Sequence, residues 1–202
     1  MENNQVKLFK QEWWPTPIWF TDLDPSSINP TAIVNECVAE KNRGHGRDFS
    51  SFGQSWGSHN MIDNIRQNVY PELNKLAKFV ENTAVHISED YGFIRSILKI
   101  EEVWCNFQYP GGHQTSHTHI RPLVALYYAQ AAEDSGNVWF RPPEPMGYSN
   151  KMFTRANNQY NFGKVDYAPT VGRIFFFPGW LAHHVVQNQS TQDRISVSFD
   201  LI

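Results

Sequence analysis

The sequence predicts a mainly β domain, an antiparallel double sheet of the sandwich or jelly-roll kind, packed against helices from its N-terminal half. The helical patterns fall before Gly92. After it the chain breaks into short β-branched and aromatic runs separated by Gly, Pro and Asn, and no long helix interrupts those runs. With 202 residues, 41% of them hydrophobic, the chain can bury one sizeable core. A single domain over 1–202 is expected, with an extended start and supporting helices over 1–92 and a β core over 93–202.

The first helix is announced by "NPTAIVNECVAEKNR", in which Asn29 suits the N-cap and Pro30 the first helical position, where its missing N–H costs nothing. A second begins at Pro71: Leu73, Leu76, Ala77, Val80, Ala84, Ile87 and Tyr91 recur at three- and four-residue steps and form an apolar stripe that ends near Gly92. Between them "DFSSFGQSWGSHN", rich in Ser and Gly, reads as a loop able to cover a site. Strands are expected over 97–108, 122–130, 137–141, 160–167, 172–177, 182–187 and 195–202.

Composition excludes several function classes. Cys37 and Cys105 are the only cysteines, too few for a disulfide framework or a four-cysteine zinc site. A net charge of -3 with interspersed signs gives no clustered Lys and Arg for phosphate contacts, so nucleic-acid binding is not indicated. The apolar runs fall far short of the roughly 20 residues that cross a bilayer. The start "MENNQVKLFKQEWW" lacks the basic head and apolar stretch of a secretory signal, and a cytoplasmic protein is expected. The 14 Phe, 8 Tyr and 7 Trp exceed ordinary core needs and suit a lined pocket.

The chemistry concentrates in "HQTSHTHIRPLVALYY", residues 113–128. On an extended strand, residues two apart share a face, so His117 and His119 would offer neighbouring imidazoles to one metal ion. Alone, such a pair equally describes a polar surface, and a third ligand is required. "GRIFFFPGWLAHHVVQN" supplies it, since a histidine after a buried strand and a Pro-Gly turn projects from the rim of a barrel. Only one of His183 and His184 can face a given side, and spacing favours His183. Two ligands close in sequence and one distant match the facial arrangement that leaves metal positions open. In "DRISVSFDLI" the spacing of Arg194 and Ser196 puts guanidinium and hydroxyl on one face of the last strand, opposite Ile195, Val197 and Phe199. An inward arginine requires an anion, and its planar fork fits a carboxylate; an outward one would merely end a surface strand.

Together these residues resemble the iron(II) and 2-oxoglutarate dependent oxygenases, a double-stranded β-helix (jelly roll, cupin-like) superfamily. "YPGGHQTSHTHIRPLVALYYAQAAEDSGNVWF" looks like its prolyl-hydroxylase branch. "WWPTPIWFTDL" and "FFFPGWLAHHVVQN...RISVSF" look more closely like the putative 2OG-Fe(II) oxygenase family of marine bacteria and their phages. The resemblance implies iron(II), 2-oxoglutarate and O2 as cofactor and co-substrates, His117, His119 and His183 as iron ligands, and Arg194 with Ser196 gripping 2-oxoglutarate. Tyr109 and Tyr128 match tyrosines that touch it in the prolyl-hydroxylase branch. The implied activity is a dioxygenase, a hydroxylase releasing succinate and CO2, acting on a small-molecule or peptidyl substrate; a homodimer is left open. One departure stands out: His119 replaces the usual carboxylate ligand, and the following Pro is displaced to Pro122. The bulk of His119 speaks against a halogenase, which vacates that position for halide.

Three rivals are weighed against this. A cupin-type enzyme explains Gly111, His117-x-His119, Gly172, Pro178 and His183, but its expected Glu falls among Leu123 and Val124, and Arg194 has no role. A zinc enzyme would accept three imidazoles and a water. A non-enzymatic β-sandwich binding module would leave Arg194 and the ligand spacing as coincidence.

Overall fold

The computed structural model describes residues 16–49, 54–92, 98–142, 156 and 163–202. The expected stretch 160–167 is described only from 163 on. The stretch 148–161, which no sequence motif constrains, lies outside the described residues apart from Ala156.

Among the described residues, eleven strands and three helices follow in the order β1 (Trp19–Asp22), α1 (Pro30–Asn42), β2 (Gly46–Asp48), β3 (Ser55–Ser58), α2 (Ile62–Arg66), α3 (Pro71–Tyr91), β4 (Ile100–Gln108), β5 (Gln114–His117), β6 (Leu123–Gln130), β7 (Val138–Phe140), β8 (Val165–Tyr167), β9 (Arg173–Pro178), β10 (His183–Val185) and β11 (Arg194–Leu201). A seven-stranded sheet has the order β1-β9-β6-β11-β4-β3-β2, and a four-stranded sheet the order β5-β10-β7-β8. All pairings are antiparallel. From β4 onward the chain crosses back and forth between the two sheets, which is the winding of a double-stranded β-helix.

The helices form where the sequence places them. The Asn29 side chain accepts the amides of Thr31 and Ala32 at 3.0 and 3.3 Å, a cap that stabilises a helix start by about 1 kcal/mol. The α3 helix ends at Gly92 in the left-handed conformation, φ 73°, which glycine adopts without strain. None of the described helices is long and apolar enough to cross a membrane. Two apolar layers result. Ile33, Cys37, Leu73, Leu76, Val80 and Ala84 of the helices pack on the outer face of the larger sheet, against Cys105, Phe107, Tyr127, Val197 and Phe199. Between the sheets lie Val124, Leu126, Tyr128, Val138, Phe140, Phe175, Phe177 and Leu181. Strand β6 faces both layers, which is why "LVALYY" is apolar without alternation.

The structure departs from the sequence reading at the edges. The Ser- and Gly-rich segment read as a loop becomes strand β3 from Ser55, paired with the end of β4, and β1, β2 and α2 are additional elements. Strand β5 ends at His117, so His117 and His119 do not share one strand. His119 lies just past the strand end, its N–H donating to the Gly179 carbonyl at 2.8 Å. Gly179 fits because the backbone approaches so closely: a Cβ there would stand 1.9 Å from the Arg121 carbonyl oxygen.

Candidate metal centre and its cavity

Antiparallel pairing of β5 with β10 sets His117 directly opposite His183. The turn after β9 then holds His119 beside them. Ring centroids are separated by 4.3 Å for His117 and His183, 5.2 Å for His117 and His119, and 5.3 Å for His119 and His183. One ring nitrogen from each lies within 4.8 Å of the others.

Which nitrogens are free follows from their partners. His117 Nδ1 is 2.8 Å from the Thr115 carbonyl oxygen, and His183 Nδ1 is 2.9 Å from that of Leu181. A carbonyl only accepts, so both Nδ1 atoms carry the proton and both Nε2 atoms keep a lone pair. Behind His119 the nearest oxygen is a carboxylate: Nδ1 lies 2.8 Å from Asp200 Oδ1, an ion-pair distance without hydrogen-bond alignment. His117 and His183 are thus turned by a carbonyl at the rear to present Nε2 as a ligand, the usual second layer of a histidine metal site, and His119 has a carboxylate in the same place. Burial, and then the neighbouring imidazole of His117, push the His183 pKa down from 6.5 to about 3; burial also lowers that of His117. Both are therefore neutral and able to bind metal near pH 7. His184 points elsewhere: its ring packs edge-on to Trp139 at 5.1 Å, and with His113 it lines a separate depression on the outside of the smaller sheet. Of the adjacent pair, it is His183 that joins the cluster.

The histidines line a cavity of about 650 Å³. Alternation along β11 sends Ile195, Val197, Phe199 and Leu201 into the helix-side layer and Arg194, Ser196, Ser198 and Asp200 to the cavity wall. Arg194 is only 2% exposed. Its Nη1 donates to the carbonyls of Ser135 and Gly136 at 3.1 and 2.5 Å, and its Nε is buried without a partner. Burial pulls its pKa down, with no carboxylate among the described residues to offset the loss of water. Gly136 is required there: its φ is 97°, and a Cβ would meet the Val186 carbonyl oxygen at 2.3 Å. The Tyr128 hydroxyl lines the same cavity, buried and unpartnered, its ring 5.9 Å from the Arg194 guanidinium carbon. Ser196 lines it too.

Tyr109 is placed differently from the other predicted contacts. It follows β4, packs against the helix-side layer and accepts a hydrogen bond from Lys41 Nζ at 2.6 Å; it is not in the cavity wall. Conversely, Asn106, Ser198 and Asp200 line the cavity without having been singled out from the sequence. For Ser198 and Asp200 the signal was present, because the period of two that joins Arg194 to Ser196 continues through both.

The fold is shared with solved structures of low sequence identity. A Pseudomonas putida prolyl-4-hydroxylase superposes with a TM-score of 0.64 at 13% identity, covering 92% of each chain. The non-heme alpha ketoglutarate dependent epimerase SnoN from nogalamycin biosynthesis gives 0.67 at 14% identity, covering 93% of this chain and 76% of its own. A Trichoplax adhaerens prolyl hydroxylase, in complex with a hypoxia inducible factor peptide fragment, gives 0.64 at 13% identity over 92% and 83%. No curated protein sequence matches the chain. Residues 102–200, the stretch that holds the three histidines and Arg194, match the family described as "Putative 2OG-Fe(II) oxygenase".

Proposed function

We propose that the protein is a hydroxylase in which His117, His119 and His183 hold iron(II) through Nε2, while Arg194, with Ser196 and Tyr128, grips the distal carboxylate of 2-oxoglutarate. The family's cofactor set is iron(II) and 2-oxoglutarate. With dioxygen they supply oxidative decarboxylation to succinate and CO2, and the oxidising power to place oxygen on a substrate carbon. The chain's own residues bind, orient and exclude water. The Thr115 and Leu181 carbonyls hold His117 and His183 in their ligating tautomer before any metal arrives. Val124, Leu126 and Phe177 form an apolar part of the cavity wall, beside which polar contacts are stronger than in water.

The observation that carries this reading is the pairing of two incomplete sites in one cavity, three free imidazole nitrogens and a buried guanidinium that lacks an anion. A dianionic keto acid would complete both at once. A zinc hydrolase would use the same imidazoles but leave Arg194 uncompensated. The substrate is proposed to be a small molecule or a peptidyl side chain entering past Arg47, Phe49, Trp56 and Trp104, which line the cavity on the β2–β3 side. The test is succinate release from 2-oxoglutarate by iron-loaded protein, native against His183→Ala and Arg194→Ala. Loss in both supports the assignment, and turnover indifferent to both overturns it. A weak visible charge-transfer band on anaerobic addition of 2-oxoglutarate separates iron from zinc.

A further inference from the structure

We propose that Asp200 is a positioning residue of the metal centre, and that its carboxylate restores, one layer back, the negative charge that a three-imidazole ligand set lacks. The inference rests on the three-histidine reading above. Its basis is an asymmetry among the rings. Behind His117 and His183 stand neutral backbone carbonyls, whereas behind His119 stands a carboxylate, 2.8 Å from Nδ1. The ring so backed is the one that occupies the position where the superfamily ordinarily has a carboxylate ligand.

The charge inventory explains why that position matters. Iron(II) with two imidazoles, one carboxylate and a dianionic keto acid carries a net single negative charge. Replacing the carboxylate by imidazole makes the assembly neutral and weakens the electron donation that helps a divalent ion hold its ligands. A carboxylate 2.8 Å behind His119 Nδ1 returns the total to its former value and favours the cationic metal-bound ring electrostatically. Asp200 is placed for this and for little else. It is 7% exposed at the cavity end of β11, where it pairs with Val124 and Glu102 on the flanking strands. Among the described residues His119 is its one ion-pair partner. A carboxylate buried in a sheet costs several kcal/mol unless something cationic answers it, and the protonated face of a metal-bound imidazole is such a group. Trp104 stacks on the same ring, centroids 5.9 Å apart and planes within 20°, and limits its rotation about the Asp200 contact.

The test is anaerobic iron(II) affinity, measured by competition with a chromophoric chelator, for the native chain, Asp200→Asn, Asp200→Leu, His119→Asp and His119→Asp/Asp200→Asn. Asparagine keeps an acceptor oxygen for Nδ1 and removes only the charge, while leucine removes both. Affinity is expected to fall about 10-fold for Asp200→Asn and about 100-fold for Asp200→Leu. The double variant, with the charge moved into the ligand itself, is expected to return to within a few-fold of native. His119→Asp alone, which sets two carboxylates face to face, is expected to bind less tightly than the double variant. Nitrogen-15 imidazole spectra of the metal-free protein give a second readout that survives if a variant unfolds on heating too early for titration: native His119 as the Nδ1–H tautomer, mixed in Asp200→Leu. Native-like affinity in both Asp200 variants overturns the proposal, as does a loss that His119→Asp fails to relieve. A native chain that binds no iron(II) instead overturns the three-histidine reading itself, and this inference falls with it.

Discussion

Strands β9 and β11 flank β6 on either side and are buried over nearly their whole lengths, yet their inward faces are opposites. Strand β9 sends in Phe175 and Phe177, which pack with Phe140, Leu126 and Val124. Strand β11 sends in Arg194, Ser196, Ser198 and Asp200. Their outward faces do the same job, Ile174 and Phe176 on one and Ile195, Val197, Phe199 and Leu201 on the other, all in the helix-side layer. The sheet therefore folds on one face of β11 and spends the other on chemistry, because Arg194 Nε and Asp200 Oδ1 are buried there without a hydrogen-bond partner. Where folding alone dictates the inner face, as on β9, aromatic packing fills it.

The largest effect that sharpens this contrast is expected on β9. Phe175→Ala removes a fully buried ring and should cost about 3–5 kcal/mol of stability, read from chemical denaturation. His183→Ala comes next, with succinate formation reduced at least about 100-fold and thermal stability little changed. Arg194→Leu should raise the KM for 2-oxoglutarate about 10- to 100-fold, the worth of a charge-assisted contact, and leave the metal-free protein as stable as native or more so. If Arg194→Leu instead destabilises as Phe175→Ala does, the inner face of β11 is structural and the contrast fails.

A pH dependence follows from His183. Its pKa is about 3 in the fold and 6.5 when unfolded, so between those values the unfolded chain binds the extra proton. The contribution is fully present above pH 6.5 and is lost as pH falls toward 3, at about 1.4 kcal/mol per pH unit. Stability of the metal-free protein measured across this window should lose about one proton's worth of slope in His183→Ala. The smallest effect is expected at Tyr109→Phe, which removes the hydroxyl bound to Lys41 and should change the KM for 2-oxoglutarate less than about twofold, since charge-assisted contacts to the co-substrate would cost far more.

Much of this was readable in the chain because it depends on local pattern. The Asn29 cap, the stripe from Leu73 to Ile87 and the unbroken apolar run of β6 are each set by neighbours in sequence. The period of two in β11 separates its faces in the same way. What escaped was non-local. Strands β1 and β3 are four residues long and exist through pairing with β9 and β4, partners far along the chain, and the three-residue β2 exists only by pairing with β3. The end of β5 at His117 is likewise fixed by the turn after β9, not by the residues around His119. Tyr109 matched a motif, but a motif does not say which side of a strand end a ring will take, and Lys41 on α1 holds it on the other.

The oxygens behind His117 and His183 belong to the main chain at Thr115 and Leu181, so replacing either residue leaves the acceptor where it was. The oxygen behind His119 belongs to a side chain, and one codon change can abolish it. Two of the three rings are thus insulated from genetic drift in their supporting layer while the third is exposed to it, and natural variation in this centre should gather at positions 119 and 200 together, each tolerating change only when the other changes with it.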